Sequence, residues 1–255
     1  MRVDQVTSAI VLRTRQFGES DKIVSFLTEH HGKITGIAKG AKRSRRRFVN
    51  SLEPFSLVKL RFQERPHSSL AFIVSSDLLL SFQRLVTGLD KISFASYLVE
   101  ITDGLIGDRE ENRLVFQHLK DGLCYLNENG TSLRFLTAFE LKLLSLVGYQ
   151  PSLDHCKRCG KDRRDGSAVR WHFSPRDGGI LCEPCSRLRK EILPLGATAV
   201  KILTDLQAEK GMLYPRRSLP SHVVREIRSV VLRFIQFHME REIKSASFLH
   251  QFSSM

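Results

Sequence analysis

The stretch FELKLLSLVGYQPSLDHCKRCG, Phe139 to Gly160, joins a hydrophobic core to a candidate metal knot in one continuous piece of chain. Its first half, begun at Ser132, is apolar on every side: Leu133, Leu136, Phe139, Leu141, Leu143, Leu144, Leu146 and Val147. A helix that is apolar all round cannot rest at a surface, so it is expected at the buried centre of a helical bundle. Gly148 supplies a left-handed residue to end it, and Pro151 forbids a simple continuation. Cys156 and Cys159 follow, and Cys182 and Cys185 repeat the same two-residue spacing further on.

Each CxxC knuckle can present two thiolates to one tetrahedral ion. The 22 residues between Cys159 and Cys182 are slightly more than the usual zinc spacing, which a β-hairpin insert would fill. Arg170–Ser174 and Asp177–Leu181 read as strand, turn and returning strand, inside a module of about residues 152–190. Pro184 restricts the second knuckle without forbidding it. Two disulfides are the competing reading, which a cytosolic chain disfavours. His155 or His172 could replace a sulfur, but Cys156, Cys159, Cys182 and Cys185 already complete the shell. Four thiolates leave no open position for water, so the expected zinc is structural and not catalytic. It would order a small flap with little core of its own. Cys124 has no partner at chelating distance in sequence and reads as a small core residue.

The chain's 255 residues leave room for two domains. No apolar run approaches the roughly 18 residues of a membrane span, and Met1–Ala9 carry no signal-peptide pattern, so a soluble cytoplasmic protein is expected. The net charge of +13 is uneven: residues 1–80 carry net +7, residues 81–150 net −2 and residues 151–255 net +8. Both flanks could therefore meet a polyanion, around a near-neutral middle.

Short β-rich runs fill the first eighty residues: Ser8–Leu12, Ile23–Thr28, Lys33–Lys39, Phe55–Phe62 and Leu70–Ser75. Glu29–Gly32 makes the second hairpin turn, with His30 and His31 as turn residues. Gly36 reads as a bulge or sharp coil within its strand. Five short strands suit an OB barrel, with an SH3-like barrel fitting almost as well. The third strand leads into KGAKRSRRR, Lys39 to Arg47, where six of nine residues are cationic. Lys33, Lys39, Lys42, Arg43, Arg45, Arg46 and Arg47 are the candidate DNA-binding residues, able to follow phosphates by displacing counterions without reading sequence. Phe17, Phe48, Phe62 or Phe72 could add base stacking, although phenylalanines in small barrels usually form core. The competing reading of the cluster is a disordered basic loop.

From Leu78 the hydrophobic period lengthens to about 3.6. Leu85, Leu89, Ile92, Ala95 (or Ser96) and Val99 make one stripe between Phe82 and Gly104. A second helix is expected over about Glu110–Asn127, carrying Leu114, Leu119, Leu123 and Leu126, with Asp108 as N-cap. Two more helices are expected at Gly196–Gln207 and Ser221–Phe237, the latter capped by Ser221. Val223, Val224, Ile227, Val230, Val231, Phe234 and Ile235 form its apolar face, and Arg225, Arg228 and Arg233 fall on or near the other side. The expected fold is α+β: an OB barrel over residues 1–80, then a helical domain over 81–255 with the cysteine module inserted.

The order of these features resembles the RecO family of bacterial recombination mediators over nearly the full length. The string HGKITGIAKGAKRS (His31–Ser44), the approach LLSLVGYQP to the first CxxC, and Gly178-Gly179 before the second carry the likeness. The resemblance implies binding to single- and double-stranded DNA and annealing of strands coated with single-stranded-DNA-binding protein (SSB). It implies work with RecR to load RecA at gaps, in the cytoplasm at the nucleoid, and contact with the acidic SSB tail. It also implies structural zinc on the four cysteines. No covalent chemistry is expected: the sequence has no Walker A string, no HExxH and no convincing nucleophile–base pair. The rivals are a glycosylase-like enzyme with a zinc clamp, for which Arg2 removes the N-terminal proline option, and an RNA- or ribosome-binding module.

Overall fold

The computed structural model describes residues 3–163, 170–208 and 220–249. The chain divides into two compact units, residues 1–131 together with 244–255, and residues 132–243.

The first unit is built on strands β1 (Asp4–Phe17), β2 (Asp21–Thr28), β3 (Lys33–Ala38), β4 (Leu57–Gln63) and β5 (Ala71–Leu80). They close a barrel in the order β1-β2-β3-β5-β4, antiparallel throughout except for the β3–β5 pair. This is the OB arrangement, and it removes free sheet edges by closure. Strand β4 shows why the sequence folds so: Val58, Leu60 and Phe62 turn inward and are buried, while Lys59 and Arg61 between them face water. The core joins these to Ala9, Val11, Val24, Phe26, Ile34 and Ile73.

Gly36 is not a bulge. Its pairing with Val24 and Ala71 stays in register, and a Cβ there would lie 2.4 Å from the Ile73 side chain, so its missing side chain makes room for the opposite strand. The ladder shifts instead in β1, between Val11 and Arg13, where the fourteen-residue strand coils round the barrel.

A 3₁₀ turn (Gln83–Thr87) and helices α1 (Leu89–Leu105) and α2 (Arg113–Asn129) follow within the same unit. The break at Gly88 interrupts the stripe expected from Phe82, and Leu89 is left exposed while Phe94, Ala95, Leu98 and Ile101 are buried. The second helix starts later than expected, with Asn112 and not Asp108 as its cap; the Asn112 side chain accepts from the Val115 amide. Leu114, in its first turn, is exposed. Residues 106–112 lie against the β2–β3 turn: the Arg109 amide donates to the Lys33 carbonyl, and Arg113 pairs with Glu29. Gly32 (φ +64°) permits this approach, because a Cβ would sit 2.4 Å from the Glu110 carbonyl oxygen. The chain returns to this unit at its far end, where helix α7 (Ala246–Leu249) meets α1. There the Glu100 carboxylate accepts from the Lys244 amide (2.9 Å), the Ser245 amide (2.8 Å) and the Ser245 hydroxyl (2.6 Å).

The second unit opens with α3 (Leu133–Leu146), capped by Ser132 and ended by Gly148 at φ +83°. Within this unit it packs against α5 (Ala197–Ala208) and α6 (Ser221–Met239). Glu140, fully buried on α3, pairs with the Arg228 guanidinium of α6. One of the arginines expected on the polar face thus serves inside, where breaking such a pair costs about 3–5 kcal/mol. Helix α6 begins at Ser221 without a side-chain cap, following Pro220. Val223, Ile227, Val230, Val231, Phe234 and Ile235 are its buried face, with Val224 only half-buried. The expected hairpin is present as β6 (Trp171–Ser174) and β7 (Gly179–Cys182), followed by the short α4 (Glu183–Ser186). A third strand, β8 (Leu193–Leu195), pairs with β6.

Candidate nucleic-acid interface and metal centre

The β3–β4 connection carries the basic cluster, and its backbone is fastened at several points. Phe48 and Leu52 are buried in the end of the barrel core. Burying one such phenylalanine contributes roughly 1.5–3 kcal/mol. The Ser51 hydroxyl donates to the Ser76 carbonyl (2.6 Å), the Ser76 amide to the Arg47 carbonyl (2.9 Å), and the Thr14 hydroxyl to the Leu52 carbonyl (2.5 Å). At the near end the Gly40 amide donates to Asp21 (2.8 Å) and the Lys42 amide to the Ser20 carbonyl. The Gly40 amide, helped by the Ser20 hydroxyl and the Lys39 and Lys42 charges, holds the Asp21 carboxyl below its ordinary pKa against the opposing effect of desolvation.

The cations on this frame differ in their duties. Lys39, Lys42, Arg43, Arg45, Arg46 and Arg47 are all exposed. Lys42 reaches Gln16 (3.1 Å) and the Gly18 carbonyl (3.2 Å) on the neighbouring hairpin turn. Arg47 donates to the Lys39 carbonyl (2.8 Å) and lies 5.0 Å over the Phe48 ring, so it braces the loop. Among the described residues no acidic side chain pairs with Arg43, Arg45 or Arg46. Lys33 is set apart from the rest. Its side chain is 13 % exposed, and the ammonium donates to the carbonyls of Asp103 (2.9 Å) and Ile106 (3.0 Å), beside the Asp103 carboxylate at 3.5 Å. A cation at those carbonyls answers the negative end of α1, so Lys33 closes a helix and is not brought together with the loop cations.

Of the four phenylalanines, Phe48 and Phe62 are buried in the core and Phe72 is half-buried. Phe17 is 51 % exposed at the end of β1, between the two Lys42 contacts at Gln16 and Gly18. It is the most exposed of the four rings, next in sequence to the two groups that Lys42 reaches. The outward cations Arg15, Lys59 and Arg61 were not among the sequence candidates, although period-two alternation with buried neighbours marks Lys59 and Arg61.

In the second unit the four cysteine sulfurs lie within 4.8 Å of one another, with Cys159 Sγ 3.6 Å from Cys182 Sγ. A tetrahedral ion bonded at about 2.3 Å requires sulfurs roughly 3.8 Å apart, so the spacing fits zinc. The Cys182 amide donates to Cys156 Sγ (3.4 Å), a bond that favours thiolate. Burial pushes the Cys156 thiol up, but amide hydrogen bonds at Cys159, Cys182 and Arg158 outweigh it and hold it at about 6. Burial and the neighbouring sulfurs push Cys185 up to about 12 and raise Cys182 as well. Four adjacent sulfurs cannot all be charged without a cation among them, which is the chemistry of a metal donor set. Cys124 lies apart, its thiol pushed up by burial.

The two knuckles are brought together by the glycine pair. Gly178 turns the hairpin at φ +69°, and a Cβ on Gly179 would meet the Ser152 carbonyl at 2.5 Å, so only glycine lets β7 lie against the first knuckle's approach. Asp177 completes that turn, bonded to the Ser174 hydroxyl (2.5 Å) and to Arg189 (2.6 Å). Among the described residues no helix is long and apolar enough to cross a membrane.

Comparison with known proteins agrees with this geometry. The family model described as Recombination protein O N terminal matches residues 1–82, and that described as Recombination protein O C terminal matches residues 87–247. The chain is 32 % identical to the DNA repair protein RecO of Syntrophus aciditrophicus, covering 100 % of this chain and 98 % of the relative. It is 34 % identical to that of Anaeromyxobacter sp. strain Fw109-5, over 96 % and 94 % of the two chains. The RecO of Caldanaerobacter subterraneus is 31 % identical over 97 % and 98 %. With the two family models together matching residues 1–82 and 87–247 and these relatives matching over nearly its full length, the chain belongs to the RecO family of DNA repair proteins.

Proposed function

We propose that the chain is a recombination mediator that binds single- and double-stranded DNA through the barrel loop and anneals complementary strands, including SSB-coated ones. Annealing brings two polyanions together, and a surface with several unpaired cations lowers that repulsion by releasing counterions from both. One observation carries the reading: Arg43, Arg45 and Arg46 are exposed on a fastened loop and, among the described residues, have no acidic partner. The contact would involve Lys39, Lys42 and Arg47 as well, through phosphates and without base readout. With RecR, the chain would promote RecA loading at gaps, acting in the cytoplasm at the nucleoid. The acidic SSB tail would dock on the basic helical unit. Cys156, Cys159, Cys182 and Cys185 would hold zinc, which orders the hairpin and supplies no catalysis.

The test is annealing of two complementary strands, both coated with cognate SSB, in the absence of any nucleotide cofactor. Acceleration is the expected outcome. Tight binding to bare single strands without acceleration would reduce the protein to a generic binding module, and preference for structured RNA at equal salt would favour an RNA-associated role.

A further inference from the structure

A ladder of aromatic rings leads from the cysteine-held hairpin to the surface of the second unit. Phe173 on β6 meets Phe234 on α6 edge-on, with centroids 5.1 Å apart. Phe234 in turn meets His238 edge-on at 4.6 Å, and both phenylalanines are buried. His238 then stacks on Tyr149, centroids 3.9 Å apart and planes 15° from parallel, while Phe237 touches the imidazole edge-on. Tyr149 and Phe237 remain 40 % and 39 % exposed. A ring covered on one face at 3.9 Å and still that exposed offers its remaining surface to a ligand.

We propose that Tyr149, His238 and Phe237 form a second, single-strand-specific site that stacks an unpaired nucleobase. This rests on the DNA-binding reading above and adds a place where bases, and not phosphates, are held. Two nearly parallel rings are the arrangement that one more flat ring extends, and every base has such a face. The ring is rigidly presented: Tyr149 directly follows the helix-ending Gly148, and its amide donates to the Leu144 carbonyl at 2.7 Å. Burial holds the His238 imidazole below its ordinary pKa, so the ring beneath Tyr149 is neutral at pH 7. The surroundings suit a polyanion. Arg233, one turn before Phe237, is half exposed and pairs with Glu191 at 3.7 Å, and residues 132–243 carry 20 Lys and Arg against 12 Asp and Glu. A duplex keeps its bases stacked on each other and has nothing to give this site.

The experiment uses the wild-type chain and an oligothymidylate with one 5-iodouracil, irradiated and mapped by peptide mass spectrometry. Adducts are expected at Tyr149, Phe237 or His238, and are expected to vanish when the iodouracil is base-paired in a duplex. Tyr149→Ala should weaken single-strand binding by roughly 5- to 100-fold at unchanged duplex affinity, and Tyr149→Phe should restore it. Adducts confined to the barrel, or equal losses on single strand and duplex, would overturn the second site while leaving the barrel reading intact. An acidic apolar peptide that shields Tyr149 from iodination, with no base adduct there, would assign the surface to a protein tail and overturn it too. No affinity for either form of DNA would overturn both readings together.

Discussion

Arg43, Arg45 and Arg46 can be replaced together by alanine with little risk to the fold, because all three are exposed and the loop is fastened by Phe48, Ser51 and Leu52. If each arginine neutralises one phosphate, the slope of log affinity against log salt should flatten by about 2.7 on duplex and about 2.1 on single strands. Between 50 and 200 mM salt the gap between parent and variant should then narrow about 40-fold on duplex and about 20-fold on single strands. Fluorescence anisotropy with labelled DNA at four or five salt concentrations reads this directly. Two controls separate charge from structure. Lys33→Met should lower the melting temperature, since it strips the cation from the end of α1, yet leave the slope unchanged. Arg47→Ala should change the slope by less than the average of the three arginines, its guanidinium being spent on Lys39 and Phe48. A triple variant with the parental slope would refute the loop as the phosphate-contacting surface.

Three further outcomes follow from the geometry. Cys156→Ser, or treatment with a strong chelator, should expose residues 132–243 to protease while residues 1–131 stay resistant; equal resistance of both units before and after would count against a structural metal. Gly32→Ala should cost more than about 2 kcal/mol in urea unfolding, because it adds left-handed strain to a collision with the Glu110 backbone; a loss under 1 kcal/mol would contradict that contact. His238 titrates lower when folded than when unfolded, so the unfolded chain takes up the proton first. Stability should therefore fall as pH drops below about 6.5, until the folded-state pKa is passed, and His238→Phe should flatten that dependence when melting is followed from pH 7.5 to 5.

The barrel was legible because its signals are local. Val58-Lys59-Leu60-Arg61-Phe62 alternates in and out as a half-buried strand must, and the glycine-bearing turns separate the strands. The four cysteines were legible because two CxxC pairs admit few geometries, and the glycine pair before the second knuckle has the role its position implies. What sequence alone hid depends on partners distant in the chain. Lys33 looks like one more cation of the basic run until Asp103 and Ile106 are placed beside it. Arg228 looks solvated until Glu140, 88 residues away, is found buried beneath it. The expected seam near residue 80 follows the change of hydrophobic period, and the family models also divide between 82 and 87. The compact units divide elsewhere, because α1 and α2 are fastened to the barrel by Lys33, Arg109 and Arg113, and no periodicity carries that information.

The clasp between Glu100 and Ser245 also has a consequence for synthesis. On the ribosome, the barrel and its two helices emerge long before the segment that finishes their unit. Residues 132–243 can complete their own core in the interval, whereas Glu100 must wait for the amides of Lys244 and Ser245. A message cut short after residue 243 would yield a folded insert beside an unfinished first unit, a product that cellular proteases can recognise by its open α1 face.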